Sequence, residues 1–191
     1  MKYVKIVCIF ALIAVIVLSV AVTKQQSESG CSIATKCSQE AREFIVNKFG
    51  DANSIEDLLM VIDDFICTRT YTPKKYYDVV QTFAIDDFIS NDCNGLCFDW
   101  SCFTAIVVRE VTNIKGWDAT PLVAEAKSTV GEDAHAFNFI LVGDKTYFLD
   151  TTNDNTRYQK GKQPIGFVDI GSMSKEEYAL KYLNYEIFQY H

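Results

Sequence analysis

Histidine is nearly missing from this 191-residue chain, which holds only His135 and the C-terminal His191. That scarcity weighs against a structural zinc site. Cys93, Cys97 and Cys102 stand at Cys-x3-Cys-x4-Cys spacing, without the paired ligands such sites use and with no second histidine inside the expected fold. Basic charge is short as well. With 18 Lys and Arg against 25 Asp and Glu, the net charge of −7 supplies no evident basic face for a phosphate backbone, so nucleic acid is excluded as a partner. Long apolar runs are limited to one stretch of 17 uncharged residues, 6–22, behind Lys2 and Lys5. It is long for the apolar part of a secretory signal and at the lower limit for a membrane span, and Ser19-Val20-Ala21 offers a small-residue cleavage site. Residues 1–23 therefore read as a signal peptide or an uncleaved membrane anchor. Either one exports the rest.

What remains suffices for one hydrophobic core: 49% of the residues are apolar, and the length after a leader suits a single domain. Residues 24–37 are polar and rich in Ser, Lys and Gln, which reads as a spacer. The domain is expected over 38–191. Six of the seven cysteines lie beyond the leader: Cys31, Cys37, Cys67, Cys93, Cys97 and Cys102. Export makes disulfides plausible, with Cys31–Cys37 as a local loop and Cys67 tied to Cys93 or Cys102.

The pattern runs helices first and sheet second. Ser38 caps a helix over 38–49, with Phe44, Ile45 and Phe49 at helical spacing and Gly50 as the stop. Ser54 and Asp57 resemble a capping box before Leu58, Leu59, Ile62, Phe65 and Ile66. Thr72-Pro73 opens a third helix, with Tyr76, Val79, Val80, Phe83 and Ala84 as its stripe, ending near Asn91. A core helix is expected from Cys97 towards Glu110. After Gly116 short apolar runs with period two predict strands at 119–126, 136–142 and 145–150, the last two joined by a Gly143-Asp144 hairpin turn. Residues 153–162 read as a loop. Ser174 with Glu177 predicts a C-terminal helix through Tyr178, Tyr182 and Leu183.

Three segments carry the chemistry: Cys93 to Cys102, His135-Ala136-Phe137-Asn138, and Leu149-Asp150-Thr151-Thr152. A cysteine in a first helical turn faces unpaired N–H groups and the positive end of the helix dipole, which favours thiolate. Such a thiolate needs a base and a group that fixes the base's tautomer. If Val142 pairs with Lys145 across the hairpin, Phe137 lies opposite Asp150 and His135 is two residues further along the same face. His135 and Asp150 are then diagonal neighbours, within side-chain reach. Asp99, in the same first turn as Cys97, reads as an electrostatic accessory.

Gly95-Leu96-Cys97-Phe98-Asp99-Trp100-Ser101 resembles the G-x-C segment of the transglutaminase-like superfamily. His135-Ala136-Phe137-Asn138 resembles its H-x-W strand, with phenylalanine in the tryptophan position, and the segment from Val142 to Thr152 resembles its hairpin ending in the third catalytic residue. Order and spacing agree over about residues 70–155. The resemblance implies an α+β, papain-like or transglutaminase-like fold, with N-terminal helices packed on an antiparallel sheet and the nucleophile at the start of the core helix. It also implies a Cys97, His135, Asp150 triad acting on a protein or peptide amide, with no cofactor. Acyl transfer to water or to an amine is left open. The backbone N–H of Cys97 is expected as one oxyanion donor, and no upstream side chain maps to the second. The rival reading is a non-catalytic binding or surface-interaction domain with an inert Cys97.

Overall fold

Two serine caps open the helical half of the molecule, whose computed structural model describes residues 37–72 and 83–191. Ser38 accepts from the Ala41 N–H at 3.0 Å and starts α1, Gln39–Phe49. Ser54 accepts from the Asp57 N–H at 3.1 Å and starts α2, Ile55–Cys67. Each hydroxyl satisfies an N–H group that a helix start leaves unpaired. In α2 the spacing-derived stripe is inside, with Leu58, Leu59, Ile62 and Ile66 wholly buried. The expected leader, nearly all of the spacer and residues 73–82 of the expected third helix lie outside the described residues. Within them α3 spans Ile85–Ser90, and Phe83 and Ala84 precede it rather than sharing its stripe. The Ala84 backbone is extended there.

α4, Cys97–Lys115, is the core helix, with Trp100, Phe103, Ile106, Val107 and Val108 wholly buried. Burial on nearly every side outweighs the small propensity cost of its β-branched run, so Ile106-Val107-Val108 is helical. Gly116 ends it with a left-handed φ of 68°. Five antiparallel strands follow: β1, Thr120–Ser128; β2, Ala134–Val142; β3, Lys145–Leu149; β4, Val168–Asp169; and β5, Tyr185–Tyr190. Their order is β4-β3-β2-β1-β5. Gly143, at φ 59°, makes the two-residue turn that sets Val142 opposite Lys145 and Phe139 opposite Phe148. α4 packs on β1 and β2, where the Asn138 amide donates to the Ser101 carbonyl at 3.0 Å. A second apolar cluster joins Ala124, Ala126, Phe137, Phe139 and Phe148 to Tyr178, Leu183 and Tyr185. Helices packed on an antiparallel sheet make the fold α+β. Among the described residues no helix is long and apolar enough to cross a membrane.

Four expectations are corrected. The loop expected over 153–162 is largely helix: α5 spans Thr151–Gln159 and is capped by Asp150. The expected C-terminal helix is short. Ser174 does accept from the Glu177 N–H at 3.1 Å, but α6, Lys175–Tyr178, runs into a π turn at Ala179–Leu183, and Asn184, at φ 58°, turns the chain into β5. Among the described residues Cys37, Cys67, Cys93 and Cys97 are free thiols, so the expected tie from Cys67 is not made, while Cys31 lies outside the described residues. Hydrogen bonds hold that joint instead: the Asn155 amide donates to the carbonyls of Ile66 at 2.9 Å and Cys67 at 3.1 Å, satisfying the end of α2. Finally, His191 is inside the fold, paired with Glu125 and edge-on to Phe98.

Candidate active site

The chain reaches Cys97 through a tight reversal in which Asp92 and Cys93 both adopt left-handed backbone, at φ 56° and 55°. Non-glycine residues are strained there, so the turn needs outside support. Trp100 supplies it by donating its indole N–H to the Cys93 carbonyl at 3.1 Å. At Gly95 an added Cβ would fall 2.8 Å from the Asp99 Cβ and 2.9 Å from a Phe88 ring carbon, so only hydrogen fits. Asp99 accepts from the Leu96 N–H at 3.1 Å. It holds the turn that carries Cys97 and is more than an accessory. Cys97 emerges in the first turn of α4, 3% exposed.

His135 and Asp150 come from the hairpin. β2 begins at Ala134, two residues before the expected start, so His135 sits inside a regular strand and inherits its direction. One step past the last pair, Asn138 with Leu149, the chain reaches Asp150. Its two oxygens divide the work. Oδ2 lies 2.9 Å from His135 Nε2, while Oδ1 accepts from the Asn153 N–H at 3.0 Å and caps α5. The bland role of this carboxylate and the chemical one are therefore compatible. Phe137 and Tyr185 wall the imidazole at 5.8 and 5.5 Å between centroids, and its side chain is 15% exposed. With Nε2 engaged, Nδ1 is the nitrogen left for Cys97, whose side chain is close enough to act on the imidazole. The structure thus brings all three candidate residues together.

Burial alone would push the His135 pKa down. The charge and hydrogen bond of Asp150, joined by the hydrogen bond and charge of Cys97, outweigh it and hold the imidazole well above its usual range. The neighbouring thiols differ. Burial pushes Cys67 up to about 12 and Cys93 up to about 11, so both stay protonated and unreactive at neutral pH.

A second acid group lies beneath the site. Asp63, 3% exposed on α2, is hydrogen-bonded to Asp154 and is pushed up to about 8, first by burial and then by the charges of Asp154, Asp64 and Asp150. Folding therefore takes up a proton there, and stability is lost as pH rises from the unfolded value near 4 through about 8. Each unit of that displacement corresponds to about 1.4 kcal/mol, so the loss reaches several kcal/mol. Asp63→Asn keeps a donor for Asp154 without a titrating proton. Urea midpoints across that window are expected to flatten, and an unchanged slope would assign the pH dependence elsewhere.

The sequence reading gave no role to Tyr71, which bridges Gly95 in the turn before Cys97 and stands edge-on to Trp100. The one available signal was local: a residue before proline is driven to extended backbone, so Thr72-Pro73 marks 70–72 as a segment able to pair. Among the described residues no cluster of three or more His, Cys, Asp or Glu is arranged to hold a metal. A surface cavity lined by Asp64, Cys67, Thr68 and Tyr158 contains none of the three candidate residues.

No family model and no curated protein matches the chain. Among solved structures it is similar to a candidate cysteine protease from Cytophaga hutchinsonii, at 17% identity and TM-score 0.45 over 80% of this chain and 49% of that one. It is similar to calcium-bound LapG of Legionella pneumophila, at 14% identity and TM-score 0.45 over 71% of this chain and 74% of that one. A TGase aligns at 14% identity and TM-score 0.37 over 70% of this chain and 37% of that one. The chain spans about half the length of the first of these.

Proposed function

We propose that this is an exported transglutaminase-like thiol enzyme that transfers the acyl group of a protein or peptide amide, with Cys97 as nucleophile, His135 as base and then acid, and Asp150 as orienter. The observation that carries the reading is the His135 imidazole held between the Asp150 carboxylate, at 2.9 Å, and the Cys97 side chain. Proton transfer from sulfur to His135 gives a thiolate and an imidazolium. The thiolate attacks the amide carbon, a C–S bond forms, and the carbonyl electron pair moves to oxygen. Collapse breaks the C–N bond, and the imidazolium proton leaves with the amine. A water or a second amine then attacks the thioester and gives its proton to His135, and the C–S bond breaks to restore the ion pair. Export rests on residues 6–22 with Lys2 and Lys5 before them.

The direct test is competitive alkylation by iodoacetamide at mildly acidic pH, with modified cysteines located by mass spectrometry. Cys97 is expected to react ahead of Cys67 and Cys93, and His135→Ala is expected to remove that preference. A Cys97 no more reactive than its buried neighbours would sink the enzymatic reading in favour of the binding-domain one.

A further inference from the structure

We propose that the cavity where α2 and α5 end is a subsite for an arginine or lysine side chain of the substrate, several residues from the amide that Cys97 attacks. This rests on the acyl-transfer reading above and adds the charge that the substrate carries. The cavity holds about 510 Å³, within the range of ligand-binding clefts, and its walls include Asp64, Cys67, Thr68, Tyr158, Lys162 and Gln163. Those walls are built in advance. The Gln159 amide donates to the Cys67 carbonyl at 3.2 Å and ties the two helix ends together. On the loop side the Gly161 N–H donates to the Tyr158 carbonyl and the Lys162 N–H to the Arg157 carbonyl, each at 2.9 Å. The Arg157 guanidinium donates to the Gln163 carbonyl at 2.9 Å. A ligand that enters therefore orders little of the chain, which favours binding.

The chemistry of the cavity selects a cation. Two helix C-termini converge on it, α2 at Cys67 and α5 at Gln159, and each brings the negative end of its dipole. No basic residue lies in the last turn of α2, and Arg69 just beyond is engaged elsewhere, 4.1 Å from the Phe65 ring centroid and 2.9 Å from Asp92 Oδ1. Exposed Asp64 adds a carboxylate, whose charge, after burial and those of Asp63 and Asp154, helps to push the Cys67 thiol up to about 12. Tyr158, 49% exposed, offers an aromatic surface for a cation and for the apolar stem that carries it. The native cations leave room for a guest: Arg157 is held by the Gln163 carbonyl, and exposed Lys162 has a long stem that can carry its ammonium into solvent. The distance suits a peptide. Thr68 and Tyr71 are separated by at most about 11 Å of chain, and Tyr71 bridges Gly95 in the turn that delivers Cys97. Along α5 the rise from Asp150 to Tyr158 is about 12 Å. An extended peptide advances about 3.3 Å per residue, so a basic side chain about four residues from the reacting amide spans the gap.

The test uses peptides with a chloroacetyl group, a spacer of one to six glycines and a C-terminal arginine amide, each matched by an uncharged citrulline counterpart. The Cys97 sulfur displaces chloride, a C–S bond forming as the C–Cl bond breaks, and mass spectrometry locates the adduct. With about three to five glycines the arginine reagent is expected to alkylate Cys97 about tenfold faster than its counterpart, through the effective concentration that a seated side chain provides. With one glycine the two should react alike. Asp64→Asn and Tyr158→Leu are each expected to shrink the arginine advantage about threefold. An advantage that is absent at every length, equal at every length, or undiminished in both variants would overturn the inference alone. A wild type acylated by p-nitrophenyl acetate, with release of nitrophenolate, no faster than Cys97→Ala would overturn the acyl-transfer reading and this inference with it.

Discussion

Cys97→Ala and His135→Ala each lower acyl transfer by about four to six orders of magnitude, and the double variant loses hardly more than either single one, if the proposed triad acts as a unit. The reasoning is chemical. Without sulfur no acyl-enzyme forms, and without His135 the thiol keeps its proton and the departing amine has no acid. Removing the second group from an already dead mechanism takes away little. The fold should survive both changes. Cys97 contributes one small side chain at a helix start, and losing His135 leaves Asp150 still bonded to the Asn153 N–H at 3.0 Å. Nitrophenolate release, with unfolding midpoints as the control, measures both sides of the claim. A Cys97→Ala variant that retains turnover on an identified substrate would remove the mechanism.

The elements legible in the sequence are those whose signal is local and whose environment is one-sided. Ser38 and Ser54 announced helix starts because a hydroxyl before an apolar stripe has one good use there, and both cap as expected. The hairpin was legible because two residues between strands leave few registers, and Gly143 supplies the left-handed backbone required. From that register alone the nearness of His135 to Asp150 followed. Helix α5 was hidden for the opposite reason: Thr151–Gln159 carries no apolar stripe, and its buried residues are Thr151, Asp154 and Asn155. These polar groups are inside because backbone partners meet them, Asp154 accepting from the Ile165 and Gly166 N–H groups at 2.6 and 2.8 Å. Periodicity cannot register burial of that kind.

β5 was missed where two signals overlapped. The cap at Ser174 is real, and reading its helix onwards absorbed Tyr182 and Leu183 before the chain turned at Asn184. Yet Tyr185 and Ile187 alternate with the more exposed Glu186 and Phe188, the period-two pattern of a strand with one covered face. The strand matters to the site, since Tyr185 is one wall of His135. Tyr71 was missed because its place beside Cys97 comes from pairing with Gly95 across more than twenty residues of chain, which a single sequence does not display.

Asp150→Asn is expected to lower turnover by about 10⁴-fold while leaving the fold nearly as stable, because the two jobs of this carboxylate cannot be shared by an amide. The native oxygens serve separate donors: Oδ1 accepts from the Asn153 N–H, and Oδ2 accepts from His135 Nε2. Asparagine has one oxygen. As a favoured N-cap residue it places that oxygen on the helix start and turns its NH₂ towards His135. Nε2 must then be unprotonated, so the ring hydrogen moves to Nδ1 and faces Cys97, where a base is needed. The variant also loses the charge that holds the imidazole above its usual range, so the His135 titration, followed by NMR of its ring protons, should move down. Stability follows with a definite sign. A raised folded pKa stabilises fully below the unfolded value of about 6.5 and loses that contribution as pH rises through the folded value; the asparagine variant narrows this window. Asp150→Ala, by contrast, also abandons the cap and should cost about 1 kcal/mol more in unfolding free energy. An Asp150→Asn protein with wild-type turnover would show that Asp150 only caps α5, and the orienting role would have to be given up.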